Sequence, residues 1–379
     1  MNQVFTLSLI FLLSCSTINQ ERNSLFISDK NHVVDSIQLA FSHERWFKLD
    51  TLFNSRTFSV QVYPKENPNF LLYHHAASNM IGVYDLHSGK LISTIKFRKE
   101  GENGVGTGVR AIHFVSFDSI YLFSPLAQQL YLADSSGTLK NRYDLLNKKY
   151  YALLGTTYPA FIRNNRIHFC AYPSPEQKPS SSDFSLLWLN LTTSEVGYSV
   201  NLSKEYDRGF WGKHNYLRPH HLFNEVKKVF IANFPNDHFI YLMHRNGSFQ
   251  KYFAGAKRIG YLNPVSEAYT DDDAKAFALE AKQGFYSALF YDRWRNLYYR
   301  IAHNPTEDSS ESRSDFGQIS IILLDENLKK VGESYLPKDT YVIGASFITP
   351  EGLFLFNERK YDKNDDYLIY DIYKIQKRE

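Results

Sequence analysis

AIHFVSFDSIYLFSPLAQQLYLADSSGTLKNRYDL, residues 111–145, decides the fold. It divides into four short runs, AIHFVS, IYLFS, LYLAD and TLKNRYDL, separated by the turn segments FDS, PLAQQ and SSG. Aromatic and β-branched runs bounded by Asp, Ser, Pro and Gly are the local pattern of antiparallel strands joined by turns. A four-stranded sheet apolar on both faces cannot stand alone in water. It needs other sheets packed against it, as the blades of a propeller are.

Working outward, the same layout returns along the chain. Strand candidates fall at 57–63, 70–75, 81–85 and 90–97, then in the quoted blade, then at 158–163, 166–172, 184–191 and 195–201. Further groups lie at 217–222, 228–233, 239–243 and 249–253, and at 285–291, 297–301, 319–325 and 330–336. The last group, 341–348, 353–357 and 367–375, has only three strands before the chain ends. Ser36–Ser42 (SIQLAFS) supplies the fourth, which removes the open sheet edge that a radial array would otherwise leave. The expected fold is therefore all-β: a β-propeller of six blades, each of four antiparallel strands, closed by an N-terminal strand. One short helical insertion stands outside the pattern, where Thr270 and three aspartates precede AKAFALEAK.

Composition agrees. The 379 residues include 27 Tyr and 29 Phe, more than a disordered chain carries and suited to packed sheets. A net charge of +3 gives no electrostatic footprint for nucleic acid. The two cysteines, Cys15 and Cys170, fall in different contexts. Cys15 ends the apolar run Val4–Ser14, which is shorter than the ~20 residues of a spanning helix but matches a signal-peptide core. Leu12-Leu13-Ser14-Cys15 reads as a lipobox whose cysteine is lipidated, although residues 2–14 hold no Lys or Arg. The expected division is a signal peptide at 1–14, a lipidated Cys15 with a polar tether to 35, and one propeller domain at 36–379. Cys170 is expected to be a buried small apolar group.

Loop length points to one face. In an up-and-down blade with strands A to D from inside to outside, A–B and C–D links share one face. D–A and B–C links share the other. The short turns fall in the first class and the long insertions, such as 98–109, 202–216 and 254–284, in the second. Binding groups gather on long loops held by a rigid scaffold. The loop 202–221 mixes aromatics with Arg and His, a composition suited to recognition. The candidate ligand-binding residues are Arg110, His113, Trp211, His214, Arg218, His220 and Tyr261. No metal site or cofactor is read from the chain: adjacent residues of a strand face opposite sides, so neither His74-His75 nor His220-His221 can readily chelate one ion. Asp362-x-Asn364-x-Asp366 lacks the Gly and closing Glu of a calcium loop. No nucleophile elbow or zinc-protease motif is present.

With the lipobox, the run Glu100-Gly101-Glu102-Asn103-Gly104, the segment Asp118–Leu122 and the turn Asp134-Ser135-Ser136-Gly137, the chain resembles the propeller-like lipoproteins of the Bacteroidetes type, a domain of unknown function. That resemblance implies a six-bladed propeller, lipid-anchored in a Gram-negative envelope, with the outer membrane as the expected location. It carries over no catalytic residues. The expected function is a non-enzymatic module that binds a peptide, glycan or partner protein on the long-loop face. The alternative is a propeller-fold lyase or hydrolase using a His/Arg/Tyr cluster at the channel mouth.

Overall fold

The computed structural model describes residues 35–50, 59–174, 177–244, 247–265, 273–306 and 318–378. Within them six antiparallel sheets follow one another along the chain, five of four strands and one, the third, of five because its inner strand is split in two. The first blade is β2–β5, from Val60–Tyr63 to Leu91–Lys96, and the second is β6–β9, from Ala111–Ser116 to Leu139–Asp144. The third holds β10 (Tyr150–Leu153), β11 (Phe161–Arg163), β12 (Arg166–Pro173), β13 (Phe184–Asn190) and β14 (Val196–Asn201). The fourth runs from β15 (Leu222–Asn224) through β16 (Val229–Asn233) and β17 (Phe239–Met243) to β18 (Phe249–Phe253). The fifth comprises β19 (Phe285–Asp292), β20 (Leu297–His303), β21 (Ile319–Leu324) and β22 (Lys330–Tyr335). The sixth is β23 (Tyr341–Thr349), β24 (Gly352–Asn357), β25 (Tyr367–Lys377) and, outermost, β1 (Ile37–Lys48).

Burial follows position in the blade. A middle strand such as β7 (Ser119–Ser124) is buried along nearly its whole length, whereas outer β9 is mostly exposed. Middle strands have a neighbouring blade on each face and so read as continuous apolar runs; outer strands face water and tolerate Lys, Asn and Arg. The core is accordingly divided into clusters between adjacent sheets. Leu72 and Ile81 of the first blade, for example, pack on Ile112 and Leu122 of the second.

The closing strand is longer than the sequence pattern showed, ending at Lys48 rather than Ser42. It pairs antiparallel with β25 from Ile37↔Lys377 to Lys48↔Tyr367. Phe47 is fully buried, with its ring edge-on to Tyr370 of its own blade at 5.6 Å and to Tyr84 of the first blade at 6.0 Å. One side chain thus wedges the first and last blades together. Next to it Gly89 (φ +69°) has no alternative, because a Cβ there would lie 2.0 Å from the Trp46 carbonyl oxygen.

Two inner strands differ from expectation. The third blade begins not with a strand over 158–163 but with two half-strands, β10 and β11. Both pair with β12, and the chain leaves the sheet between them. The fourth blade's inner strand starts at Leu222, because Asn215–Leu217 forms a 3₁₀ turn. The expected helical insertion is α1, Asp273–Gln283; its proposed cap at Thr270 lies outside the described residues. A second, one-turn helix, α2 (Glu358–Tyr361), is capped by Asn357, whose side chain accepts from the Lys360 N–H.

Candidate functional site

The excursion of residues 154–160 out of the third blade shapes the centre of the molecule. The Thr156 hydroxyl accepts from the Val60 N–H at 2.8 Å and donates to the Val60 carbonyl at 3.2 Å. Val60 belongs to the first blade, which is not adjacent to the third, so this contact spans the channel. The next residues are tied to the fourth blade: the Tyr158 ring stacks on His220 at 4.2 Å, and the Thr157 carbonyl accepts from His220 Nδ1 at 3.1 Å. The segment therefore acts as a plug. Thr156, Pro159 and Ala160 face one pocket, Thr157 and Tyr158 another.

The pocket on the short-turn side has a volume of about 260 Å³ and a floor of Phe161, Phe223, Leu289 and Phe347. Two ion pairs cross its mouth, Lys65–Glu225 at 2.7 Å and Arg293–Glu66 at 3.1 Å, joining the first blade to the fourth and fifth. Such exposed pairs contribute little stability.

The cavity on the long-loop side is larger, about 530 Å³. Its inner wall is Tyr158, His220, Phe285, Ser287 and His303; its rim is Asp339, Thr340, Tyr341, Glu358, Arg359 and Asp362. Topology assembles it. His220, Phe285 and Tyr341 stand at or just before the starts of inner strands, while α2 lies in the B–C loop of the last blade. His303 stacks on Phe285 at 4.3 Å, and its Nε2 meets the Ser287 hydroxyl at 3.0 Å. Burial holds both imidazoles neutral, His220 down to about 3 and His303 down to about 4. Arg359 Nε donates to the Asp339 carbonyl at 2.7 Å, tying the two sides of the rim.

Of the residues singled out in the sequence, His220 lines this cavity. Arg218 is exposed nearby, its guanidinium 5.9 Å from the Tyr172 ring. Arg110 is exposed and donates to carbonyls of its own loop, at Thr107 and Val109. His113 is 7 % exposed, within the second blade's inner strand. Trp211 is fully buried and donates to the Glu205 carbonyl at 2.8 Å. His214 packs edge-on to Phe277 of α1, and Tyr261 lies under the Arg208 guanidinium at 4.6 Å. The aromatic loop 202–221 is thus largely a packed cap: Tyr206, Phe210, Trp211 and Tyr216 are buried, and the Tyr216 hydroxyl donates to the Gly284 carbonyl at 2.8 Å. Glu280 of α1 locks the cap by accepting from both the backbone and side-chain nitrogens of Asn215 at 3.0 Å. Burial pushes its carboxyl up to about 7.

Sequence reasoning missed Thr157, Tyr158 and the blade-six rim. The signal for the plug was available: Gly155 and Pro159 bracket it, and Pro does not sit in a central strand. Among the described residues no three His, Cys, Asp or Glu side chains are grouped so as to hold a metal ion. No helix among them is long and apolar enough to cross a membrane. Cys170 is buried, as expected for a structural thiol; Cys15 lies outside the described residues.

Fold and site together define a six-bladed propeller with a plugged channel and an open cavity on its long-loop face. The chain belongs to the DUF4221 family, a domain of unknown function, whose model matches residues 36–335. Its fold is similar to that of a DUF4221 member from Bacteroides vulgatus, with TM-score 0.77 at 18% identity over 91% of this chain and 99% of that one. An exported protein from Bacteroides fragilis, so described provisionally, matches with TM-score 0.51 at 11% identity, over 90% of this chain and 96% of that one. No curated protein matches the chain at significance.

Proposed function

We propose that the protein is an envelope-anchored binding module that takes a peptide, glycan or partner protein at its long-loop face. The observation that carries the reading is the 530 Å³ cavity there, large enough for a small ligand or a side-chain anchor and floored by the plug. Gly344 lines its wall, so Gly344→Trp places an indole inside it. Arrays of glycans and peptides probed with the wild-type protein are expected to give ligands that the Trp variant loses, with its melting temperature within a few degrees of wild type. Ligands held equally by both proteins would place the site elsewhere.

Anchoring rests on Leu-Leu-Ser-Cys15 after an apolar run, followed by a polar tether that leads to β1. Each buried methylene of an acyl chain contributes ~0.8 kcal/mol, so two or more chains hold a protein on a bilayer stably. Cys15→Ala is expected to leave unprocessed precursor or to release the protein from the membrane fraction. Mature, membrane-bound Cys15→Ala protein would refute the anchor.

A further inference from the structure

The pocket on the short-turn side is built of rings. Phe161, Phe223, Phe290, Tyr291, Trp294 and Phe347 line it, and Phe161 lies face to face with Phe223 at 4.5 Å. Five of them stand on the inner strands β11, β15, β19 and β23, and Trp294 on the turn after β19, so closure of the propeller is what brings them together. Phe161, Leu289 and Phe347 are each less than a tenth exposed, and the floor is therefore continuous with the core.

The polar groups in this lining are already committed. Gln61 exchanges two bonds with the Phe114 backbone, at 2.6 and 3.0 Å, and Thr156 two with that of Val60. The Ser346 hydroxyl donates to the Val342 carbonyl and accepts from the Phe356 N–H, and the Tyr291 hydroxyl donates to Asn296 Oδ1. At the mouth Lys65, Glu66, Glu225 and Arg293 are two charges of each sign, paired with one another. A charged ligand would have to break a pair to find a partner, and burying an unpaired charge is costly. An apolar ring instead gains the transfer of its surface out of water and ring contacts with the wall.

Size and access narrow the occupant further. An apolar cavity of about 150 Å³ takes one benzene ring, so about 260 Å³ suits roughly ten heavy atoms, or two fused rings. The ion pairs bridge the mouth from the first blade to the fourth and fifth. A protein loop seated here would break both bridges for as long as it stayed. A free two-ring molecule needs them only to part on entry, which costs little for exposed pairs.

We propose that the short-turn pocket is a second binding site, for an uncharged aromatic molecule of about two fused rings. It is independent of the long-loop reading, because the plug separates the two: Pro159 and Ala160 face this pocket, Thr157 and Tyr158 the other.

The test is an NMR titration of the labelled protein with indole, tryptamine and indole-3-acetate, with calorimetry in parallel. Indole is expected to shift the resonances of Ala160, Leu289 and Ile348 in the pocket and to leave those of Ile343, in the other cavity, in place. Ala160→Phe, which sets a ring in the pocket, is expected to weaken indole binding at least about tenfold. Val226 is 53 % exposed on the rim, so Val226→Trp folds readily and is expected to weaken binding likewise by covering the mouth. Gly344→Trp, which fills the other cavity, is expected to leave indole binding unchanged. Tryptamine or indole-3-acetate held in the pocket more tightly than indole would overturn the uncharged class. Indole binding that Ala160→Phe and Val226→Trp both keep, or that Gly344→Trp removes, would overturn the site. Pocket resonances unmoved by indole would overturn the proposal and leave the long-loop reading standing.

Discussion

Lowering the pH from 7 to 5 is expected to destabilise the folded protein by about 6 kcal/mol, and the chain is expected to unfold between about pH 5 and 4. His74, His113, His220 and His221 are each less than a tenth exposed, and burial first of all holds each down to about 3. Their folded pKa lies below the 6.5 of the unfolded chain, so their contribution to stability is complete above that value. It is lost as pH falls toward 3, because only the unfolded state takes up the protons. Between pH 7 and 5 each costs about 2 kcal/mol, roughly 8 together. Glu280 acts in the opposite sense. Its carboxyl is raised from 4.5 to about 7, so its contribution is complete below 4.5 and is lost as pH rises through 7; over the same interval it returns about 2 kcal/mol. The remainder is comparable with the whole stability of an ordinary domain, about 5–15 kcal/mol. Circular dichroism and tryptophan fluorescence across an acid titration measure it. An unchanged native signal at pH 4 would show that these histidines are not held neutral by the fold.

Arg300→Met is expected to destabilise the protein by about 3–5 kcal/mol, the range for removing one partner from a buried charged network. Arg300 is fully buried on β20, and its guanidinium uses all five donors. Nε meets Asn233 Oδ1 at 2.9 Å; Nη1 meets the carbonyls of His238 and Ala254 at 3.1 and 2.9 Å; Nη2 meets those of Phe234 and Asp237 at 3.2 and 2.6 Å. The plane lies 3.7 Å over the Tyr286 ring. Every acceptor belongs to the fourth blade or its exit, so one side chain from the fifth blade holds its neighbour's loop in place. Methionine fills the volume but leaves five acceptors dry. Arg300→Lys is expected to cost nearly as much, since an ammonium has three donors and no plane to stack. Burial lowers the guanidinium only to about 10, so it stays charged at pH 7. Urea unfolding measures the loss, and a Met variant within 1 kcal/mol of wild type would refute this role.

The residues divide by how local their cause is. Blade after blade, alternation and turn chemistry placed strands to within a few residues, because pairing between neighbours in sequence depends on short segments. The three-stranded last group required a strand from elsewhere, and Ser36–Ser42 was the apolar run free to supply it. The long-loop face was legible for the same reason, since loop length is written directly in the chain. The site was legible only in part. Trp211 and Tyr216 look in sequence like recognition aromatics, yet they are core, because α1 and Glu280 cover them from more than 60 residues away.

The sequence by itself determined the blade count, the closing strand and the face that carries the long loops. Only the tertiary structure decided that the channel is plugged and that a cavity lined by Tyr158, His220 and His303 opens on one side of the plug. Thr156 meets Val60 across 96 residues, and Arg359 reaches Asp339 from the next loop of the same blade. No local pattern encodes such meetings. They exist because closing the ring brings every inner strand to one axis, where a seven-residue departure from one sheet can touch two others.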